Sequence, residues 1–373
     1  MSRIRIGIVA GEPSGDLLGS CIIKALKHHY PEAEFMGVAG PKMCEEGATT
    51  LFPMDKLSVM GFTEVFFRLH ELLSYRNIVK KYFIKHPPDV FIGIDSPDFN
   101  LPIEKTLKKK GIKTIHCHSP TVWAWRENRI HNIKRSVNLM LVLFPFEKQY
   151  YNKAKIPVEY IGHPLADMIP MEYRTPNTIN HIALLPGSRA GEIKYIAPVL
   201  VKSAQLLLHK YPHLQFSAPM INQKRYDQFL QIVKLIAPNL FKNLNVSIGN
   251  AREIMTKSDL VILASGTATL EALLLKRPMV VVYKGSEISY QIAKNLIKIK
   301  NISLPNILAG ANLVPELIQQ NAVPENIVIQ TEKYMESMDN IKSLQKKFSE
   351  IHQELRCDAA IKAANAIAQL MNG

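Results

Sequence analysis

Short apolar segments alternate with amphipathic segments along most of the chain. The apolar segments have the length of β-strands, and the segments between them repeat apolar residues at helical spacing. Such alternation is typical of βαβ units, in which helices connect neighbouring parallel strands. In the first half of the chain, the predicted strands are residues 4–10, 35–38, 90–94, 113–117 and 139–143.

The alternation is interrupted once, at residues 164–178, where three prolines punctuate a polar segment that we interpret as a linker. It resumes with predicted strands at residues 182–185, 214–218, 246–248, 260–263 and 279–283, and the chain closes with a helical tail. We therefore predict an α/β protein with two Rossmann-like domains that face each other across a cleft, the GT-B layout, with C-terminal helices crossing back to the first domain. The predicted boundaries are 1–168 and 178–345 for the domains and 346–373 for the tail. This architecture alone does not define a chemistry.

Charge narrows the classes of partner. The 373 residues include 46 lysines and arginines against 32 aspartates and glutamates, a formal net charge of +14. Such a surplus favours an anionic partner, which can be a nucleic acid, an anionic membrane surface or a phosphorylated substrate. The four cysteines have no zinc-site spacing and predict free thiols in a reducing cytoplasm. Because no segment has the length of a membrane-spanning helix or the pattern of a signal peptide, we predict a cytoplasmic protein with peripheral membrane contact.

Two carboxylates and an amide follow the predicted strand 90–94, namely Asp95, Asp98 and Asn100. In parallel α/β sheets, ligands bind beyond the carboxyl ends of the strands. Pro97 keeps the residue before it out of a helix, so the acids are displayed on a loop. A carboxylate in this position is a candidate general base, and the residues alone leave Asp95 and Asp98 interchangeable.

The turn after the first predicted strand contains four further candidate contact residues, Gly11, Glu12, Ser14 and Gly15. Glycines allow a ligand to approach the backbone, and a helix start offers N–H donors. The turn matches neither the dinucleotide pattern GxGxxG nor a Walker A loop, which disfavours NAD and ATP. The alternative interpretation is a tight turn with a helix cap.

Two turns in the second half predict a phosphate site. The guanidinium of Arg189 can donate two parallel hydrogen bonds to a phosphate. Hydroxyl and N–H groups at a helix start can also donate to an anion. The residues of these turns are Gly187, Ser188 and Arg189, then Ser265, Gly266, Thr267 and Ala268, with Glu271 one helical turn later and within reach of a ribose. The alternative is an exposed arginine and an ordinary serine or threonine cap.

We expect no metal and no cofactor. The chain has no Asp-x-Asp triplet, which metal-dependent sugar transferases use to hold a diphosphate. His116 and His118 share a strand end, but no nearby set of carboxylates or cysteines completes a metal site, and we interpret both as structural histidines.

Residues 60–85 predict an amphipathic helix with basic residues beside its apolar stripe. Such a helix either lies on a membrane or packs its stripe against the core. The residues alone favour the core. The stripe consists of Phe62, Val65, Phe66, Leu69, Leu72 and Leu73.

Taken together, the motifs resemble the lipid-A-disaccharide synthase family, GT-B glycosyltransferases of family 19 from Gram-negative bacteria. The resemblance rests on residues 11–16, 38–41, 59–61, 93–100, 119–126, 144–148, 162–164, 184–189, 264–271 and 303–310. It implies inverting transfer of 2,3-diacylglucosamine from its UDP derivative to 2,3-diacylglucosamine 1-phosphate, giving a β-1,6 disaccharide 1-phosphate and UDP.

The resemblance also implies roles for particular residues. Asp95 would be the base, and Glu12 would orient the acceptor or share the base role. Arg189, the 265–267 turn and Asn306 would hold UDP in place of a metal, and Glu271 would contact the ribose. The family works on lipids at the cytoplasmic face of the inner membrane, which favours the membrane interpretation of residues 62–73 and makes nucleic acid an unexpected partner.

Two classes of alternative stay open. One is another UDP-sugar enzyme of GT-B fold, either the peptidoglycan lipid glycosyltransferase, whose N-terminal Gly-Gly-x-Gly-Gly this chain lacks, or the non-hydrolysing UDP-N-acetylglucosamine 2-epimerase. The other is a non-enzymatic basic protein that binds a membrane surface or a nucleic acid.

Overall fold

Parallel strand pairing organises the chain in this computed structural model, which describes residues 3–57, 68–123, 129–287, 290–291 and 300–373. Two compact units are present. The first contains residues 1–167 and 355–373, and the second contains residues 168–354. Each unit is built on one sheet.

In the described residues, the first sheet has seven strands, ordered β3-β2-β1-β4-β5-β6-β7. Its central strands are buried on both faces, as expected for a parallel sheet covered by helices. Residue Ile8 of β1 pairs with Ile92 of β4, and Gly93 of β4 pairs with His116 of β5. The strands are β1 (Arg5–Ala10), β2 (Glu34–Val38), β3 (Ala48–Thr50), β4 (Val90–Ile94), β5 (Lys113–Cys117), β6 (Leu139–Val142) and β7 (Val158–Tyr160).

The sheet of the second unit repeats this winding, with six strands in the described residues ordered β10-β9-β8-β11-β12-β13. In both sheets the order reverses beside the first strand, so the carboxyl ends of β1 and β4, and of β8 and β11, flank a topological switch point. The strands are β8 (His181–Leu185), β9 (Gln215–Met220), β10 (Leu244–Ile248), β11 (Leu260–Ala264), β12 (Met279–Tyr283) and β13 (Glu316–Ile318).

Helices connect the strands in both units. In the first unit they are α1 (Pro13–His29), α2 (Pro41–Glu45), α3 (Leu69–Lys85), α4 (Pro97–Lys108), α5 (Arg129–Ser136), α6 (Lys148–Lys153) and α7 (Pro164–Met168). In the second unit they are α8 (Ala190–Lys210), α9 (Gln223–Ile236), α10 (Ala251–Lys257), α11 (Thr267–Leu274), α12 (Leu304–Ala309), α13 (Pro324–Glu336) and α14 (Met338–Leu355), and the chain ends with α15 (Ala359–Asn372).

The last helix, α15, belongs to the first unit, where it packs against α1. The carboxylate of Asp167 accepts hydrogen bonds from the N–H groups of Cys357, Asp358 and Ala359 at 2.7–3.0 Å, and so caps the start of α15. At the far end of the helix, the Lys113 ammonium donates to the Leu370 carbonyl at 2.8 Å. The predicted return of the C-terminal helices to the first domain is therefore observed for α15.

The fold differs from the sequence expectations in its short elements. Strands β3, β7 and β13 were not predicted, because each has three residues and lies at a sheet edge, where no burial pattern develops. The predicted linker begins with helix α7, and the tail is two helices with a break at residues 356–358. Helix α3 begins at Leu69, and residues 60–67 of the predicted amphipathic helix lie outside the described residues.

Among the helices that the structure describes, none combines the length and the apolar character needed to cross a membrane.

Candidate active site

The loop after β4 is held in an unusual backbone conformation. Asp95 has φ 52° and Ser96 has φ 44°, both in the left-handed region that residues other than glycine seldom adopt. The Asp95 N–H donates to the Cys117 carbonyl at 2.9 Å, and the Ser96 N–H donates to the Asp95 carboxylate at 2.8 Å. A β-carbon at Gly11 would lie 2.5 Å from the Ser96 hydroxyl, so only glycine fits opposite the loop. Two consecutive strained residues that are fixed by hydrogen bonds are a common mark of a functional site.

Asn100 supports this loop from beneath. Its side chain is fully buried and donates to the carbonyl oxygens of Asp95 at 2.9 Å and Ile94 at 3.3 Å. Of the positions predicted for the acceptor side or its loop, Asn100 thus holds the loop, because its side chain points into the unit and fixes the backbone of Asp95.

A buried pair of a histidine and a carboxyl side chain lies beside Asn100. The His116 imidazole and the Glu104 carboxyl are fully buried and 2.7 Å apart. Burial raises the pKa of the Glu104 carboxyl, against the opposing effect of His116. His116 is therefore a structural histidine, as expected from the sequence.

His118 lies beside the Asp95 carboxylate, not in the core. The two side chains are 3.6 Å apart and partly exposed, with 37% and 24% of their side-chain surfaces accessible. Burial alone would raise the pKa of Asp95, but hydrogen-bonding and charge interactions with His118, aided by the Ser96 N–H, lower it to about 2. Asp95 is thus ionised at neutral pH, and His118 is its neighbour at the end of β5.

Asp98 differs from Asp95 in its surroundings. Its side chain is 83% exposed and pairs with the Arg129 guanidinium at 2.5 Å. The structure therefore separates two acids that the sequence left interchangeable: Asp95 is partly buried and held by its loop, and Asp98 lies at the surface.

A cavity of about 320 Å³ adjoins both acids within the first unit. Glu12, at the start of α1, lies on its wall, and apolar side chains from the start of α3 form another part. Of the predicted apolar stripe, Leu69 is exposed and Leu72 and Leu73 are half-buried, whereas Phe62, Val65 and Phe66 lie outside the described residues. The lining residues are Glu12, Leu57, Leu69, Leu72, Leu73, Arg76, Asp95, Ser96, Pro97, Asp98 and Phe99.

The other residues of the first turn have different positions. Ser14 is exposed on the first turn of α1. Gly15 is buried, and a β-carbon there would lie 3.4 Å from Ala10 and 3.5 Å from Ile94, which is ordinary van der Waals contact. Asp16 accepts from the N–H groups of Lys42 and Met43 at 3.0 Å and caps α2.

The predicted phosphate-binding turns lie together in a cavity of about 510 Å³ on the second unit. The ends of β8, β9, β10 and β11 contribute its walls. Of the predicted donor residues, Gly187, Ser188, Arg189, Ser265, Gly266, Thr267, Ala268 and Glu271 line it. It also includes residues that the sequence reasoning missed: Leu185, Glu192, Pro219, Met220, Ile221, Gly249, Asn250, Ala251, Met255 and Ala264. For residues 219–221 and 249–251, the position directly after the predicted strands 214–218 and 246–248 was the available signal.

Glu192 changes the expected role of the 187–189 turn. One oxygen of its carboxylate accepts from the N–H groups of Ser188 at 2.8 Å and Arg189 at 3.1 Å. The other oxygen lies 3.4 Å from the Arg189 guanidinium, which is 67% exposed at its side chain. The backbone donors are thus used to cap α8, and the guanidinium is the group that this turn presents to the cavity.

The start of α11 forms the facing part of the cavity. The Ser265 hydroxyl donates to the Ile302 carbonyl at 2.8 Å, so this side chain anchors the neighbouring loop. Gly266 and Thr267 are exposed at the first turn, where backbone N–H groups have no acceptor within the helix. The Glu271 carboxylate lies 3.5 Å from the Arg252 guanidinium, which leaves it close to the cavity but paired.

Asn306 does not line this cavity of the second unit through its side chain. It is buried, its amide donates to the Val314 carbonyl and the Glu316 carboxylate, and its oxygen accepts from the N–H groups of Leu313 and Val314, all at 2.8–2.9 Å. These bonds use the full capacity of the amide. The expected contact between Asn306 and UDP is therefore wrong, and the residue instead holds the loop that Ser265 contacts.

Within the described ranges, no group of three or more His, Cys, Asp or Glu side chains is arranged to hold a metal ion.

Solved structures resemble the whole chain at low sequence identity. The UDP-GlcNAc 2-epimerase from Neisseria meningitidis aligns with a TM-score of 0.64 and 14% identity over 99% of both chains. MurG from Acinetobacter baumannii aligns with a TM-score of 0.60 and 13% identity over 99% of this chain and 100% of its own. At such identities the likeness establishes the fold, which is GT-B.

Relatives of much higher identity share a name. The lipid-A-disaccharide synthase of Haemophilus ducreyi is 48% identical over 379 residues, covering 98% of this chain and 97% of the relative. That of Aeromonas hydrophila is 46% identical over 377 residues, covering 99% and 98%. The family model described as lipid-A-disaccharide synthetase matches residues 6–367, nearly the entire chain. The chain therefore belongs to the lipid-A-disaccharide synthetase family of GT-B glycosyltransferases.

Proposed function

We propose that this chain, whose family makes lipid A disaccharide by glycosyl transfer, uses UDP-2,3-diacylglucosamine as donor and 2,3-diacylglucosamine 1-phosphate as acceptor. The products are the β-1,6-linked disaccharide 1-phosphate and UDP. Inversion requires a single displacement in which the acceptor oxygen bonds to the anomeric carbon as the diphosphate leaves, through an oxocarbenium-like transition state. The protein then has two tasks: to take the acceptor proton and to stabilise the leaving diphosphate.

Asp95 performs the first task in this proposal. It is ionised at neutral pH and partly accessible, and it borders a cavity with an apolar wall suited to an acylated sugar. Glu12 lines the same cavity and orients the acceptor. Asp98, being exposed and paired with Arg129, supports the loop.

Arg189 and the start of α11 perform the second task. The exposed guanidinium and the N–H groups of residues 267 and 268 meet in one cavity, where they can neutralise a diphosphate without a metal. Glu271 contacts the ribose of UDP. Residues 219–221 and 249–251 form the wall of the cavity that faces the uracil ring. The 2-epimerase of similar fold was solved with UDP-GlcNAc bound, which agrees with a nucleotide sugar as the ligand class.

The observation that carries the proposal is the division of charge between the two units. An ionised, strained carboxylate lies at the switch point of the first sheet, and an arginine with a helix start lies at that of the second. The decisive experiment incubates the protein with both acylated substrates in detergent and measures UDP release with and without EDTA. UDP release that requires both substrates and survives EDTA supports the proposal. Chelator-sensitive release would refute the metal-free mechanism, and release without the acceptor would refute transfer.

We further propose that the protein contacts the cytoplasmic face of an anionic inner membrane through residues 62–73. Leu69, at the start of α3, is 45% exposed, and it also lines the cavity beside Asp95. The net charge of +14 favours anionic lipid, and apolar residues flanked by cations suit an interfacial helix.

Replacing Phe66 and Leu69 by serine is expected to weaken binding to anionic liposomes by about tenfold or more, because each apolar side chain withdrawn from the interface costs about 1–2 kcal/mol. Flotation measures liposome binding, and calorimetry measures UDP binding, which should be unchanged. The matched control is Leu235→Ser, since Leu235 is 85% exposed on the second unit. Equal loss of liposome and UDP binding in the double variant would indicate a core role and contradict membrane contact.

A further inference from the structure

His118 lies beside the proposed base, and the proposed function gives it no role. Its Nδ1 atom lies 3.6 Å from the Asp95 carboxylate oxygen. The two residues follow the neighbouring strands β4 and β5, and both side chains are partly accessible, so the pair borders solvent and is not sealed in the core.

The backbone of His118 is itself in a strained conformation, with φ 82°. Its N–H donates to the Leu141 carbonyl at 3.0 Å, which fixes the strained residue to the neighbouring strand β6. Asp95 and Ser96 are also in the left-handed region. Three such residues at the ends of adjacent strands cost folding free energy, which is typical of positions kept for function.

Acidic groups surround the imidazole on several elements. Besides Asp95 after β4, Glu147 after β6 and Glu12 before α1 act on it electrostatically. Glu147 is buried and fixed by the Trp123 indole N–H and the Phe144 N–H, each at 3.1 Å. These acids favour a protonated imidazole.

A second histidine, His163, lies close enough to interact with His118 electrostatically. His163 is buried, and its Nδ1 accepts from the Leu165 N–H at 3.2 Å, which requires a neutral ring. Burial, with the charge of His118, lowers the pKa of His163 to about 3, so it adds no positive charge at neutral pH. Burial also disfavours the charge on His118, but Asp95, Glu147 and Glu12 raise its pKa above the usual 6.5.

We propose that His118 is a positioning residue for the transfer reaction, whose imidazolium pairs with the Asp95 carboxylate and holds it ionised and aimed at the acceptor hydroxyl. This inference rests on the proposed role of Asp95. The acceptor proton passes to Asp95 as the acceptor oxygen bonds to the anomeric carbon and the bond to UDP breaks. His118 keeps its own proton throughout, and Asp95 later releases the acquired proton to water.

The pairing has a definite pH dependence. Because the pKa of His118 is raised, the imidazolium persists to higher pH than that of an ordinary histidine and is lost as the pH rises through that pKa. Asp95 stays ionised on the alkaline side, so a fall in kcat there reports the loss of the imidazolium. A fall in kcat caused by protonation of Asp95 is expected only near pH 2, which is below the pH of any practical assay.

The test compares wild type with His118→Gln, which retains a polar side chain without the charge. We expect kcat to fall by about 10- to 100-fold at pH 7, less than the 10²–10⁴-fold effect of losing a general base. The KM for the UDP-sugar should change by less than about threefold, because the donor residues lie on the second unit. The alkaline fall in kcat seen in wild type should be absent. The matched control, His209→Gln, alters an exposed histidine at the end of α8 and should retain both kcat and the alkaline fall.

Two further measurements separate the possible failures. In wild type, an NMR titration should place the pKa of His118 above 6.5, and Asp95→Asn should lower it. If Asp95→Asn is inactive while His118→Gln keeps a normal kcat and a normal pH profile, this inference alone is overturned. Active Asp95→Asn would overturn the proposed base and the inference together. A low kcat that retains the alkaline fall in His118→Gln would indicate a merely structural histidine and overturn the inference.

Discussion

Asp95→Asn is expected to lower disaccharide formation by about 10²–10⁴-fold while UDP binding is retained, because the amide cannot accept the acceptor proton. The amide keeps the shape of the carboxylate and can still accept from the Ser96 N–H, so the loop should keep its conformation. Product formation from both acylated substrates measures the loss, and calorimetry with UDP checks that the second unit is intact.

Asp98→Asn is the matched control for this variant. Asp98 has the same chemistry three residues later, but its side chain is exposed and paired with Arg129. We expect its effect to stay below about tenfold, the scale of lost surface charge and loop support. Equal damage from both substitutions would mean that the acids act as one coupled site, and the assignment of the base to Asp95 would be abandoned.

Arg189→Ala should lower kcat by about 10²–10³-fold, the range found when one group that stabilises a developing negative charge is removed. The guanidinium is exposed in the donor cavity, and the backbone donors of its turn are already bound by Glu192. The helix start at residue 267 remains, so UDP binding should weaken less than kcat falls. Steady-state kinetics with the UDP-sugar and calorimetry with UDP measure the two effects separately.

Lys224→Ala controls for the general loss of positive charge, since Lys224 is an exposed cation on α9 of the same unit. It should leave kcat within about twofold of wild type, because an isolated exposed charge contributes little. If Lys224→Ala and Arg189→Ala were equally impaired, the effect would come from the overall field of the unit, and the clamp role of Arg189 would be refuted.

The sequence could reveal the two sheets and the strand ends where polar residues gather, because both follow from periodic burial and local turn chemistry. Strands 90–94 and 260–264 are apolar throughout, and the residues after them had to be exposed at a sheet edge. The positions of Asp95 beside one cavity and of the 265–268 turn beside another agree with this reasoning.

The direction of individual side chains could not be read from the chain, since it depends on partners distant in sequence. Asn100 and Asn306 both lie near predicted ligand-binding loops. The side chain of each points inward, however, and its amide forms hydrogen bonds with backbone carbonyl or N–H groups. Glu192 looked like an ordinary helix residue, but its carboxylate takes the N–H groups that were assigned to a ligand. His116 and His118 are two residues apart and would share one face of a regular strand. His118, however, lies beyond the end of β5 with φ 82°, and it lies beside Asp95 while His116 pairs with Glu104 in the core.

The return of α15 to the first unit sets the order in which the protein is completed during translation. Domains of a nascent chain generally fold in the order of their synthesis. Here the last helix of the first unit is formed by residues 359–372. The N–H groups that donate to the carboxylate of Asp167 are synthesised almost two hundred residues after it. The second unit, which ends at residue 354, is complete on the ribosome before the first, and the newly made face of α1 stays uncovered until the final residues arrive. A chain stopped shortly before residue 359 would therefore carry a finished second unit and an unfinished first unit.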